Sequence, residues 1–508
     1  MKKIGKVFTP KHIVRFMLKQ SGYGPGRHIL DNSCGDGAIL CEVVKLIFET
    51  RPLSFVKYEL ETFVHGIELE KETYDKCIEN LNNLVHTLGL KCDVKWDIRN
   101  ADALTTSDFD GKMDYVIANP PYVRTHDITG GTENYSFASE GMKDLYLAFF
   151  ELGFRQMNSR GKMVYITPSS WYTSLAANKM RKYILATTNL TQIWDFQPTK
   201  VFEDALTYVS IALFDNEHRH YAVRFNEATV VDENIVCEAQ YYVSYDDMVI
   251  KDEFYFGNKE DLEFLKQVLE NTEKQTHIVA KNGCATLLDN VFIGDFYFKE
   301  KCIIPIIKTS TGEEKDCIYP YDENGKILSE TEFSFMCPNT YQYLLEHKEL
   351  LCKRKTEEPW YGFGRTQGLG DTMKKKYTIK QIVKNTPNFG IMEAGPGTGV
   401  YGGLYVIAEP GYEKKFLAMM DQRFVNYIKL LRKYKAGGYY TFSTKDINSY
   451  MSYILKFKKR GRKLVLTYEK CKEIVKSCGS KKEVREKYSS VYTTISRMKW
   501  GKIWEEID

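Results

Sequence analysis

A chain of 508 residues can hold two or three domains, and 43% hydrophobic with 27% charged residues is the make-up of an ordinary globular protein. It has no signal peptide and no apolar run of membrane-spanning length; twelve scattered cysteines without a C-x-x-C pair indicate reduced thiols, a cytoplasmic setting and no metal site. The net charge of +4 is uneven: from Lys456 onward sixteen Lys and Arg face seven Asp and Glu, a local +9 on a body of −5, which points to a polyanionic partner.

Near the start, Val7-Phe8-Thr9-Pro10 precedes an apolar-periodic run (Ile13, Val14, Phe16, Met17, Leu18). A helix is expected there, with Thr9 as N-cap and Pro10 in the first turn. His28-Ile29-Leu30 then leads into Asp31-Asn32-Ser33-Cys34-Gly35-Asp36-Gly37-Ala38 and a helical run from Ile39 to Phe48, giving strand, tight glycine turn and helix. The glycines let backbone approach a ligand closely, and the helix offers free N–H groups. An acid at the strand end suits a pyrophosphate poorly; a zwitterionic methionine moiety and a ribose fit better. Val64 to Glu68 reads as a second strand ending in a carboxylate, where nucleoside-binding α/β folds accept from ribose hydroxyls. A helical piece between Arg51 and Thr62 accounts for the long separation. Lys71 to Leu88 is a helix pattern, and a third strand closes at Asn100 to Leu104, with Asp102 placed to accept from an adenine amino group.

Asp114 to Tyr122, DYVIANPPY, organises the rest. Its apolar run reads as a buried parallel strand that stops at Asn119-Pro120-Pro121-Tyr122, because two prolines cannot continue a ladder. An amide is thus fixed at the carboxyl end of a strand with an aromatic ring three residues on. That pair can grip an exocyclic amino group while the ring stacks on its base. Asp144 to Met157 then reads as helix, and Lys162 to Thr167, Gln192 to Phe196 and Thr207 to Phe214 as strands. Val201-Phe202-Glu203-Asp204 is the loop between the last two. The alternation through about residue 215 implies an α/β fold with a doubly wound, mostly parallel sheet.

Taken in this order, the motifs resemble the γ-class N6-adenine DNA methyltransferases of restriction–modification systems. The resemblance covers roughly residues 1 to 215 and implies a Rossmann-like S-adenosylmethionine-dependent methyltransferase domain. It implies that Thr9, Pro10, Asp31, Ser33, Cys34, Gly35, Asp36, Gly37, Glu68, Asp102, Ala103 and Asn119 line the cofactor pocket. It further implies that Asn119, Pro120, Pro121 and Tyr122 hold a flipped adenine, with Phe202 stacked on its other face. In that family the region after the catalytic domain recognises the target. Residues 216 to 455, rich in Tyr and Phe and broken by glycine clusters, are accordingly expected to form an α+β target-recognition domain. Arg365 and Gln367 there are of the types that read G and A edges.

From 456 to 508 a basic linker, KFKKRGRK, is expected to contact DNA through Lys458, Lys459, Arg460, Arg462 and Lys463. Two or three short amphipathic helices should follow, with Trp500 and Trp504 on one face. The expected partner is double-stranded DNA, engaged by a monomer, with a cognate restriction endonuclease as a separate protein. The alternatives are methylation of another amide or amino nitrogen (RNA adenine, cytosine N4 or protein glutamine) and a catalytically inactive DNA-binding protein.

Overall fold

Apolar strands that end in turn chemistry alternate with amphipathic helices, and in the computed structural model they assemble around one sheet. The structure describes residues 9–123, 132, 134–140, 144–196, 201–202, 208–435, 437–459, 468–478, 480–488, 491–492, 495 and 501–506. They divide into two compact units, Met1–Ser452 and Tyr453–Asp508.

The strands of the main sheet are β1 (Ile29–Asp31), β2 (Val64–Glu68), β3 (Asp97–Asn100), β4 (Met113–Ala118), β5 (Met157–Pro168), β6 (Leu190–Asp195), β7 (Val209–Asp215), β8 (Ala222–Val231) and β9 (Asn234–Ser244). Their order is β3-β2-β1-β4-β5-β7-β6-β8-β9. The pairs from β3 to β5 are parallel, and β7 lies antiparallel between β5 and β6. Every residue of β1 and β2 is buried, as strands covered on both faces must be. The cover includes α1 (Lys11–Ser21) and α2 (Ala38–Thr50), whose Val14, Met17, Leu40 and Val44 are fully buried, each side chain contributing about 1.5–3 kcal/mol by leaving water. Further helices are α3 (Leu53–Phe63), α4 (Lys71–Thr87), α5 (Leu145–Gln156) and α6 (Asn178–Thr187). This is a Rossmann-like, doubly wound sheet, and its order reverses between β1 and β4. A crevice opens at the carboxyl ends of strands at such a point, and Asp31 and Asn119 stand at its two sides.

Several expectations change. Pro10, with extended ψ of 143°, is the N-cap of α1, and no side chain caps that end. Thr9 is the residue before a proline and is biased to extended backbone; its hydroxyl is engaged elsewhere. The sheet does not stop near residue 215, because β8 and β9 extend it as a parallel strand and an antiparallel hairpin. Their polar-apolar alternation suits an edge pair with one wet face, unlike the continuous apolar runs of the centre. The thiols are not all reduced: Cys302 and Cys337 form a disulfide with Cα atoms 6.5 Å apart.

From Tyr245 to Ser452 the described residues of the first unit are α+β, with the two-stranded hairpin of Val249–Ile250 and Glu253–Phe254 and three larger sheets. One orders Ile278–Asn282, Leu404–Ala408, Lys376–Ile379 and Met392–Ala394; a second orders Ile293–Gly294, Glu314–Ile318, Ile303–Lys308 and Gly399–Tyr401. The third joins Ile382–Val383, Tyr439–Thr441 and Tyr434–Lys435. In the second unit, helices Tyr468–Lys476 and Lys481–Lys487 and a 3-10 turn at Gly501–Glu506 enclose Cys471, Val475, Val484 and Ile503, with Trp504 against Tyr492. Lys456 to Lys459 are the last turn of helix Thr444–Lys459 rather than linker. Trp500, Arg460, Arg462 and Lys463 lie outside the described residues. Among the described residues no helix is long and apolar enough to cross a membrane.

Candidate functional site

The turn after β1 is built by two glycines with left-handed backbone, Gly35 (φ 56°) and Gly37 (φ 88°). A Cβ on Gly37 would come within 2.8 Å of Cys77 Sγ, so the turn sits tight on α4. A Cβ on Gly35 would meet nothing within 4 Å, so that side of the turn is open to an incoming group. Two acids frame the opening. Asp31 is 2% exposed and accepts from Ser33 N at 3.2 Å. Burial pushes its carboxyl up to about 8, and the negative charge of Glu68 adds to the rise. Glu68, at the end of β2, accepts from Gly35 N at 3.0 Å and from Glu70 N at 2.9 Å. Asp102 follows β3 and starts the 3-10 turn Ala103–Thr105 by accepting from Leu104 N at 2.9 Å. Ala101 N donates to Glu68 O at 3.1 Å, which ties the ends of β2 and β3 together.

Across the crevice, Asn119 leaves β4. Ser33 Oγ donates to the Asn119 carbonyl at 3.3 Å, joining the glycine turn to the Asn-Pro-Pro-Tyr turn. The Asn119 side chain is held at both ends. Its Nδ2 donates to Thr9 Oγ1 at 3.1 Å, and the Tyr122 hydroxyl lies 2.6 Å from its Oδ1 and 2.9 Å from the Ile166 carbonyl. Burial raises the Tyr122 phenol well above the ordinary tyrosine range, so it remains a donor. Pro120 is buried, and Pro121 and Tyr122 are half-buried.

The candidate residues from the strand ends, Thr9, Asp31, Ser33 to Gly37, Glu68 and Asn119 to Tyr122, thus come together in one crevice, and Asp102 and Ala103 adjoin it through β2. Phe202 is 3% exposed, inside the same core cluster as Phe196 and Val209, and would have to leave that core to meet a base. Arg365 and Gln367 are exposed, and the Arg365 backbone pairs with Ala285. Lys458 and Lys459 end a helix, as above. The Thr9 hydroxyl and the Ile166 carbonyl as partners of the amide have no local signal in the sequence, because only the assembled sheet brings residues 110 positions apart within reach.

Residues 36–202 match the model of the Eco57I restriction-modification methylase family. The chain is 24% identical over 421 residues to the Type II methyltransferase M.BstVI of Geobacillus stearothermophilus, covering 70% of this chain and 73% of that one. It is 23% identical over 410 residues to the Type II methyltransferase M.PaeR7I of Pseudomonas aeruginosa, covering 70% of each. Among solved structures, the Type IIL restriction-modification enzyme MmeI in complex with DNA shares the fold, with a TM-score of 0.58 and 13% identity over 98% of this chain and 72% of that one. The matched segment holds Glu68, Asp102 and the Asn-Pro-Pro-Tyr turn, while Thr9 and Asp31 to Gly35 precede it, and the chain resembles the Type II modification methylases of restriction–modification systems.

Proposed function

We propose that this protein transfers a methyl group from S-adenosylmethionine to the N6 amino group of an adenine flipped out of double-stranded DNA. It would act as the modification component of a restriction–modification system of the γ class, in the cytoplasm and as a monomer. A cognate endonuclease would be a separate protein. The observation that carries the reading is the Asn119 amide, held at both ends at the carboxyl end of β4 and hydrogen-bonded through its backbone to the acid-lined glycine turn.

The crevice fits the cofactor. The open face of Gly35 admits it, the buried Asp31 carboxylate suits its ammonium group, and Glu68 and Asp102 suit its ribose hydroxyls and adenine amino group. When bound, the cofactor supplies an electrophilic methyl on a sulfonium. The residues of this chain do the rest. Adenine N6 is a poor nucleophile because its lone pair is delocalised into the ring. Asn119 Oδ1 and the Pro120 carbonyl accept from the amino group and bias the nitrogen toward tetrahedral geometry. Both oxygens also stabilise the positive charge that develops on it, and being fixed in advance they pay no reorganisation at the moment of reaction. Extruding the base costs a few kcal/mol, which stacking on Tyr122 offsets. Phe202 would close the stack from the other side once its side chain leaves the core.

Target recognition is assigned to the α+β region, with Arg365 and Gln367 solvent-facing and the basic residues from 456 onward engaging phosphates. The DNA complex of MmeI and the methyltransferase relatives support DNA as the substrate. Mapping methylated bases in DNA from cells expressing the chain settles base, strand and site together. N4-methylcytosine in place of N6-methyladenine would replace the adenine reading. Asn119→Ala should slow single-turnover transfer by about 100-fold or more, as for loss of one preorganised group, while cofactor binding persists. A near wild-type rate would reduce Asn-Pro-Pro-Tyr to a strand-ending turn.

A further inference from the structure

A stacking ring needs no hydroxyl, yet the Tyr122 hydroxyl is engaged beside the Asn119 amide. It has two acceptors, Asn119 Oδ1 at 2.6 Å and the Ile166 carbonyl at 2.9 Å. A phenol carries one proton and can serve only one of them fully at a time. At the other end of the amide, Asn119 Nδ2 donates to Thr9 Oγ1 at 3.1 Å, and Thr9 is 8% exposed.

The geometry points to Thr9 and the Tyr122 hydroxyl as positioning residues for Asn119: Thr9 holds the amide nitrogen throughout, while the Tyr122 O–H serves Asn119 Oδ1 until the target amino group arrives and then turns to the Ile166 carbonyl. This rests on the amino-methyltransferase reading above. An asparagine amide has an acceptor end and a donor end that exchange on a half-turn about χ2. Only the oxygen can accept from an amino group; the amide nitrogen in its place would set N–H against N–H. A donor at Oδ1 together with an acceptor at Nδ2 selects the productive face before substrate binds.

A donor that stayed on Oδ1 would compete with the substrate. The Ile166 carbonyl removes that competition, because the hydroxyl exchanges one backbone or side-chain acceptor for another and no buried polar group is left without a partner. No covalent bond changes in this step; one O–H reorients. Thr9 accordingly serves the base-binding amide, a role distinct from lining the cofactor pocket.

The test uses the full-length chain, S-adenosylmethionine and a duplex carrying the mapped target, with Tyr122→Phe, Thr9→Val and Thr9→Ser each made alone and in an Asn119→Ala background. Single-turnover transfer at saturating cofactor and DNA should fall about tenfold in Tyr122→Phe and Thr9→Val and recover in Thr9→Ser. Cofactor affinity by calorimetry and base extrusion by 2-aminopurine fluorescence should match wild type, which also shows that the pocket has folded. In the Asn119→Ala background neither substitution should slow transfer further, since the group they act through is gone. Wild-type rates in both hydroxyl-lacking variants overturn the inference. So does additional slowing in the Asn119→Ala background, or weakened cofactor binding in Thr9→Val. A wild-type chain that methylates no DNA removes the parent reading instead, and this inference with it.

Discussion

In the proposed cofactor role, Asp31 combines burial with a need for its charge. Its carboxyl is raised from an ordinary 3.8 to about 8. Between those values the folded protein holds a proton that the unfolded chain has released, so this group lowers stability as pH rises from about 4 to about 8. An ammonium group reverses the preference by pairing with the ionised carboxylate. Cofactor binding below pH 8 should therefore release a proton, and affinity should rise by up to about tenfold per pH unit between pH 6 and 7.5. Calorimetry in two buffers of different ionisation enthalpy reads the proton directly, and Asp31→Asn should abolish it. Flat affinity across that range with wild-type protein would separate Asp31 from the cofactor. Glu68 contributes differently, since its carboxylate already orients the amides of Gly35 and Glu70. Glu68→Ala should weaken cofactor binding by about 1–3 kcal/mol, the cost of leaving buried polar groups unpaired, with DNA binding in the absence of cofactor little changed. Unaltered cofactor affinity would take Glu68 out of the site.

At the scale of elements, legibility in the sequence followed how local the determinants are. β1 and β4 were readable because each apolar run ends in turn chemistry, Gly35-Asp36-Gly37 in one case and Pro120-Pro121 in the other. The helix before β2 was readable from the excess spacing alone. The hairpin β8–β9 was not, because its strands alternate polar and apolar residues and follow the point where helices cease to separate strands. The bond between Cys302 and Cys337 was not either, since a 35-residue spacing between two scattered cysteines carries no signal. Nor was Arg432, which joins the main sheet to the region after it. Its guanidinium donates to Asp195 Oδ2 at 3.2 Å, to Glu227 Oε1 at 2.7 Å and to the Phe256 carbonyl at 2.9 Å, and lies over the Phe225 ring. Tyr434 OH donates to the same Asp195 oxygen at 2.9 Å. The end of β6 and the middle of β8 are thereby tied to strand Tyr434–Lys435. Arg432→Met should cost about 3–5 kcal/mol, because the fully buried Asp195 would lose the cation that faces it. Adding Asp195→Asn should recover part of that loss. Equal stability of Arg432→Met and wild type in urea unfolding would show the ion pair to be replaceable by packing.

For the whole molecule, charge and architecture divide at nearly the same place. The unit Tyr453–Asp508 has its own apolar core of Cys471, Val475, Val484 and Ile503, and sixteen of the chain's 71 Lys and Arg fall from Lys456 onward. A small folded module carrying a net +9 is suited to neutralising phosphates without reading bases, while the exposed Arg365 and Gln367 belong to the first unit. Deleting Lys456 to Asp508 should therefore weaken DNA binding and flatten its dependence on salt, because fewer condensed counterions are released on association. The sequence that becomes methylated should stay the same. Because the deleted segment belongs to a compact unit of its own, the melting temperature of the remainder and its cofactor affinity should be little changed, which separates lost phosphate contacts from lost folding. The decisive measurement is the slope of log affinity against log salt for the full chain and the truncated one, on target and non-target duplexes. Equal slopes would assign the tail a structural role. A shallower slope with an altered methylation site would instead place base reading, as well as phosphate binding, in the second unit.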